Sequence, residues 1–199
     1  MIVIGLTGGI ASGKSTISRM IQDAGYALID ADVYAREVVE PGEEAYEKIV
    51  AHFGKDILHG DGTLDRKKLG AIIFNDERER SILNGIVHPA VRKKMNDQKS
   101  VYRDEGREAV VLDIPLLFES KLTNTVDRIL LVYVNEDVQV KRLIERDGST
   151  KEEALSRIRS QIPLAEKRPH ADAVIDNNGT PAESKEQLFH IFEKWDLHA

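Results

Sequence analysis

An α/β fold, a parallel sheet flanked by helices, is predicted by three observations. Short apolar runs of strand length alternate with segments of helical period at both ends of the chain. The first run, Ile2–Leu6, closes on Thr7-Gly8-Gly9, and a helical period begins at Lys14. The runs are solidly apolar, as in Ile129–Val134, which marks strands buried on both faces.

The elements follow in order. Ile17, Met20, Ile21 and Ala24 share one face of the first helix, and Gly25 stops it. A second strand covers Ala27–Asp30. From Ala31 to about Glu108, helical patterns and turns replace strands. Glu43–Phe53 is helical and ends at Gly54; Leu69, Ile72 and Ile73 have helical spacing after a capping Asp65. Pro89 suits the first turn of a further helix running toward Glu105. Strands resume at Ala109–Leu112 and Ile129–Val134. Glu136–Arg146 is a helix with Val140, Leu143 and Ile144 on its apolar face. Thr150 and Glu153 form a capping box for the next, with Leu155, Ile158 and Ile162 inward. Ala173–Ile175 is the last strand. Thr180-Pro181-Ala182-Glu183 opens a final helix whose Leu188, Ile191, Phe192 and Trp195 make a core stripe.

At 199 residues, a single domain with a sizeable core is expected. The absence of cysteine removes disulfides, thiolate metal sites and a cysteine nucleophile. A formal net charge of −6 disfavours nonspecific nucleic-acid binding, though a small basic site can still focus an anionic ligand. No run is long enough for a membrane span or secretory signal, so a cytoplasmic protein is expected.

Gly8-Gly9-Ile10-Ala11-Ser12-Gly13-Lys14-Ser15 matches G-x-x-x-x-G-K-S/T, with a strand before it and a helix after it. Glycine lets successive N–H groups turn around one anion, and the helix N-terminus adds unpaired donors. Lys14 can neutralise the β- and γ-phosphates of ATP, and Ser15 can ligate Mg²⁺. The loop alone does not say whether the phosphoryl group goes to water or to an acceptor.

Asp30-Ala31-Asp32 follows the second strand, at the sheet end where ligands bind. Asp32 can take a proton from an attacking hydroxyl or help to place Mg²⁺, while either aspartate also suits a helix start; both hold if Asp30 caps and Asp32 is the base. Asp113 ends the third strand as a second candidate Mg²⁺ residue, or as a turn aspartate. His88 has no partner histidine at metal-ligand spacing. Arg142, Arg146, Arg157, Arg159, Lys167 and Arg168 form a basic segment, either solvated charges or a cationic piece that folds over ATP.

In order along almost the whole chain, these residues resemble the dephospho-CoA kinase family. The matching pieces are LTGGIASGKST at Leu6–Thr16, DAD at Asp30–Asp32 with Ala35-Arg36, and Val39-Glu40-Pro41-Gly42. Leu64-Asp65-Arg66 with Phe74, Ile86-Val87-His88-Pro89 and IPLLFE at Ile114–Glu119 come next. Arg157-Ile158, Gln161, Lys167, Ala171-Asp172 and Val174-Ile175-Asp176-Asn177 with Gly179 complete the set. Ser81–Gly85 departs from the family's usual lysine-leucine-glutamate flavour.

The resemblance implies transfer of the ATP γ-phosphoryl to the ribose 3′-hydroxyl of dephospho-CoA. It implies a single P-loop kinase domain with three parts. These are a nucleotide core (about 1–31, 109–141 and 173–199), a helical acceptor region (about 32–108) and a lid (about 142–172). Asp32 matches the family's base and Arg142 its phosphate-contacting arginine, with the guanidinium expected free of the core. Gly9, Ala11, Ser12, Gly13, Lys14, Ser15, Thr16 and Asn177 are implied for ATP, and Ser15 and Asp113 for Mg²⁺. Asp32, Arg66, His88 and Leu117 are implied for the acceptor. Small molecules are the partners, with no nucleic acid, membrane or obligate protein partner. Another P-loop nucleoside monophosphate or metabolite kinase would share the loop and basic segment but not IPLLFE or the helical insertion. A nucleotide-binding switch protein would need base-specificity motifs, and Asn177 is followed by Asn178-Gly179 instead of a lysine and an aspartate.

Overall fold

Five strands form one sheet in the order β2-β3-β1-β4-β5, with the first strand at its centre. The computed structural model describes residues 1–198. The chain runs through β1 (Ile2–Gly8), α1 (Lys14–Asp23), β2 (Ala27–Asp30), α2 (Ala31–Glu37), α3 (Glu44–Phe53), α4 (Arg66–Asn75) and α5 (Glu77–Asp104). It continues through β3 (Ala109–Asp113), β4 (Arg128–Tyr133), α6 (Glu136–Asp147), α7 (Lys151–Arg159), α8 (Leu164–Lys167), β5 (Ala173–Asp176) and α9 (Pro181–Lys194). β1 pairs in parallel with β3 (Ile4 opposite Val111) and with β4 (Leu6 opposite Leu130), and β4 with β5. No helix among the described residues is long and apolar enough to cross a membrane.

Two compact units emerge: Met1–Ile29 together with the chain from Val101, and Asp30–Ser100. In the first, Ile4, Leu6, Val111, Leu130, Val132 and Ile175 present one sheet face to Ile17 and Ile21 of α1, to Leu188 and Phe192 of α9 and to Trp195 at the C-terminal cap of α9. The opposite face is covered as well, with Leu131 and Val134 packed on Leu164 of α8. Burial on both faces is the reason these strands read as continuous apolar runs. The caps at Thr150 and Thr180 are capping boxes as expected, each with its glutamate bonding back to the cap N–H.

The second unit is helical around Val38, Ala45, Ile49, Ile57, Leu64 and Leu69, against which Leu83, Ile86 and Val87 of α5 pack. Asp65 caps α4 through the N–H groups of Lys67 and Lys68, both at 3.0 Å. Pro89 does not start a helix; it lies inside the continuous α5. The start is Asp76, whose carboxylate accepts from Arg78 N at 2.8 Å and Glu79 N at 3.3 Å. An internal proline costs about 3 kcal/mol. Packing of Ile86, Val87, Ala90 and Val91 around it offsets that cost.

Two apolar faces differ from their periodicity. On α6 the buried residues are Gln139 and Leu143, while Ile144 is exposed. On α7 they are Ala154 and Ile158; the helix ends at Arg159, so Ile162 falls beyond it and is exposed.

Candidate active site

The loop between β1 and α1 is held from outside at the carbonyls of Gly8, Ile10, Ala11 and Ser12. Gly8 O accepts from Lys167 Nζ at 3.4 Å, and Ile10 O from Gln139 Nε2 at 2.7 Å. Arg142 NH1 donates to Ala11 O at 3.3 Å and to Ser12 O at 3.2 Å, and Asn177 Nδ2 also donates to Ser12 O, at 2.7 Å. Within the loop, Gly9 O accepts from Ser12 N and Gly13 O from Thr16 N. A planar peptide points its C=O and the next residue's N–H in opposite directions. Carbonyls fixed outward therefore turn the N–H groups of Gly9, Ala11 and Gly13 inward, in line with the free amides that open α1. That is an anion cradle.

Its shape requires unusual backbone. Gly13 has φ 86° and caps α1 in the left-handed region, and a Cβ there would lie 2.2 Å from Asn177 Nδ2. Ala11 reaches φ 59° with a Cβ, a strain on the order of 1–3 kcal/mol that surrounding contacts must hold. Ser12 Oγ is buried without a hydrogen-bond partner among the described residues. A buried hydroxyl donor in such a cradle suits a phosphate oxygen.

Lys14 Nζ donates to Asp113 Oδ1, and Ser18 Oγ to Asp113 Oδ2. Asp113 is thus buried at the end of β3 beside the loop, with Ser15 exposed on the first turn of α1. Asn177 is oriented by Ser184 Oγ, which donates to its Oδ1 at 2.7 Å. Among the described residues no group of three or more His, Asp or Glu side chains could hold a metal by itself.

Arg142 departs from expectation. Its guanidinium is half-buried, and NH2 also donates to Asn177 O at 2.8 Å. The fork ties α6, the loop and the end of β5 together instead of standing free. Arg142→Lys keeps the charge and loses the fork. Hydrogen bonds from a charged group contribute about 1.5–3 kcal/mol. ATP affinity and turnover should therefore fall by about tenfold or more in this variant, read by nucleotide titration and steady-state rates; an unchanged affinity would leave the fork without a role.

Arg146, Arg157 and Arg168 are engaged away from the loop. Arg146 and Arg157 both bind Asp147, at 2.7 and 2.6 Å, and together hold its carboxyl far below the usual range. Arg168 stacks over the Tyr133 ring, its guanidinium carbon 5.2 Å from the centroid. Lys167 is 1% exposed and pairs with Glu119 Oε1 at 2.6 Å. The same oxygen accepts from Ile162 N at 3.1 Å. Glu119, the last residue of the IPLLFE stretch, thus neutralises a cation set behind Gly8.

The other acceptor candidates are placed as follows. Leu117 is 0% exposed and packs over Gly5 of β1, whereas its neighbour Leu116 is open to solvent. In the second unit, Asp30 caps α2 by accepting from Asp32 N at 2.8 Å and Val33 N at 3.2 Å. Asp32 is exposed on the first turn of α2, Arg66 is exposed at the start of α4, and His88 is exposed midway along α5.

Sequence reasoning missed Gln139 and gave Gln161 and Lys167 no specific contact. Gln139 stands four residues before Leu143, a polar residue on an apolar stripe, and that was the available signal. Lys167 gave none, because its partners Gly8 and Glu119 are distant in sequence.

A parallel sheet whose central strand feeds such a cradle, with a lysine inside it and an aspartate at the end of the neighbouring strand, defines a P-loop nucleotide-binding fold. The chain belongs to the dephospho-CoA kinase family, whose family model matches residues 2–183. It is 59% identical to dephospho-CoA kinase of Geobacillus kaustophilus over 195 residues, 98% of this chain and 97% of that one. Among solved structures, dephospho-CoA kinase from Campylobacter jejuni superposes with a TM-score of 0.73 at 30% identity, covering 97% and 96% of the two chains. A crystal structure from Thermus thermophilus gives 0.84 at 33% identity, covering 100% and 98%.

Proposed function

We propose that this chain is a dephospho-CoA kinase, which transfers the γ-phosphoryl of ATP to the ribose 3′-hydroxyl of dephospho-CoA and releases ADP. The observation that carries the reading is the family match along nearly the whole chain. The built phosphate cradle supplies the chemistry.

ATP lies with its phosphates against the inward amides of the loop, and Lys14 exchanges Asp113 for phosphate oxygens. Asp32 takes the proton of the 3′-hydroxyl as that oxygen bonds to the γ-phosphorus, and the bond from the γ-phosphorus to the bridging oxygen breaks toward ADP. Arg66, His88 and Leu117 are assigned to acceptor binding. Mg²⁺ would be held by Ser15 Oγ and, through water, by Asp113, where it would neutralise charge on the β- and γ-oxygens. A pair of protein oxygens fits an ion that keeps most of its shell as water and phosphate. The reading places the reaction in the cytoplasm, with small molecules as its only required partners.

The test is direct. Purified protein with Mg²⁺-ATP and dephospho-CoA should form CoA, while AMP and CMP should not be phosphorylated. Turnover of AMP or CMP without CoA formation would falsify the acceptor, and ATP hydrolysis independent of any acceptor would point to a switch protein.

A further inference from the structure

Both backbone groups of Ile10 are held by glutamine side chains from outside the loop. Its C=O accepts from Gln139 Nε2 at 2.7 Å, and its N–H donates to Gln161 Oε1 at 2.8 Å. Gln139 is 4% exposed, on α6; Gln161 lies two residues past the end of α7 and is half-buried. The Ile10 side chain packs with Ala11 and Val140 against Leu143, Ala154 and Ile158, the apolar seam between α6 and α7. The tip of the phosphate loop is therefore docked on that helix pair through its N–H, its C=O and its side chain.

The position matters because the strained residue comes next. Ala11 holds φ 59°, an angle set between its own two flanking peptide planes, and the first of these, Ile10–Ala11, carries the carbonyl that Gln139 holds. Gln139 fixes the Ile10–Ala11 plane with its N–H toward the cradle. Gln161 fixes the Gly9–Ile10 plane, whose carbonyl closes the turn by accepting from Ser12 N at 3.1 Å. Without these bonds, Ala11 relaxes toward negative φ and an inward amide is lost.

We infer that Gln139 and Gln161 are positioning residues for phosphoryl transfer, a clamp on Ile10 that keeps the phosphate loop in its anion-binding shape and ties it to the α6–α7 segment. The inference rests on the ATP-binding half of the proposed function. It concerns the nucleotide and not the acceptor, so it forecasts a selective kinetic signature.

Gln139→Met and Gln161→Met remove the donor and the acceptor at nearly constant volume. Titration with ATP, without acceptor, should show affinity lowered about tenfold in each, the fold-change that losing one buried hydrogen bond produces. The double variant should fall little further than the worse single, because both act on one residue. In turnover, KM for ATP should rise while KM for dephospho-CoA stays within about twofold. A merely structural glutamine lowers the melting temperature and leaves ATP affinity in the folded fraction unchanged, so affinities within about twofold of the parent overturn the inference. If Gln139→Met does not fold, the half-buried Gln161→Met decides alone. Because ATP binding is read without acceptor, failure to make CoA would sink the substrate assignment and leave this result standing.

Discussion

Asparagine at position 32 should lower turnover by about two to four powers of ten, the usual contribution of general-base assistance. ATP affinity should stay within a few-fold of the parent. The two effects separate because the helix cap is Asp30, which accepts the N–H groups that open α2, whereas the base is assigned to Asp32. Asp32 is exposed, and among the described residues its carboxylate accepts no backbone hydrogen bond at the start of α2. Asp32→Asn should therefore melt at the parent temperature. Asp30→Ala should do the reverse, losing about 1 kcal/mol of helix capping with a smaller effect on rate. Steady-state kinetics and melting curves of the pair test both halves. Loss of Mg²⁺-ATP binding before loss of turnover would make Asp32 a metal-site residue instead.

A large stability effect is expected at Lys167. Lys167→Met leaves Glu119 without its counter-charge in a site where the lysine is 1% exposed. Removing one member of a buried pair costs about 3–5 kcal/mol. In a chain of this length each kcal/mol moves the melting temperature by roughly 2–4 °C, so a fall of about 6–20 °C is expected. Adding Glu119→Gln removes the orphaned charge and keeps an oxygen for Ile162 N, so most of the loss should be recovered. A single variant that melts like the parent would show that the pair carries no stability. The neighbourhood supports the expectation: Glu119 Oε2 is already buried without a hydrogen-bond partner among the described residues, so this carboxylate depends heavily on the lysine.

What could be read in the sequence was what neighbouring residues decide. The cap at Asp65 and the capping boxes at Thr150 and Thr180 are set within one helical turn, and all three are present. The phosphate loop is equally local, since its glycines and the helix that follows are contiguous. Periodicity failed where a polar residue is buried or a helix continues through a breaker. Gln139 turned the buried face of α6 away from Ile144, and packing around Pro89 carried α5 through a residue that normally opens a helix. Arg142 had the right place in the chain, but its hydrogen bonds to loop carbonyls depend on contacts that span up to 131 residues, which no local pattern encodes. The roles proposed for Arg66 and His88 rest on family likeness, and that of Asp32 on its place after β2 together with the likeness; exposure alone does not distinguish them from ordinary surface side chains.

The distance between the loop and its supports bears on how the protein is made. The phosphate motif occupies residues 8–15, whereas its carbonyls wait for Gln139, Arg142, Lys167 and Asn177. The Asn177–Ser12 bond alone spans 165 positions. Contacts of such separation form late, after the loop-closure entropy has been overcome. A nascent chain that has not yet supplied α6 carries a complete nucleotide signature whose loop carbonyls still lack Gln139 and Arg142. The shape of the loop thus waits on side chains made 129 to 165 positions after the carbonyls they hold.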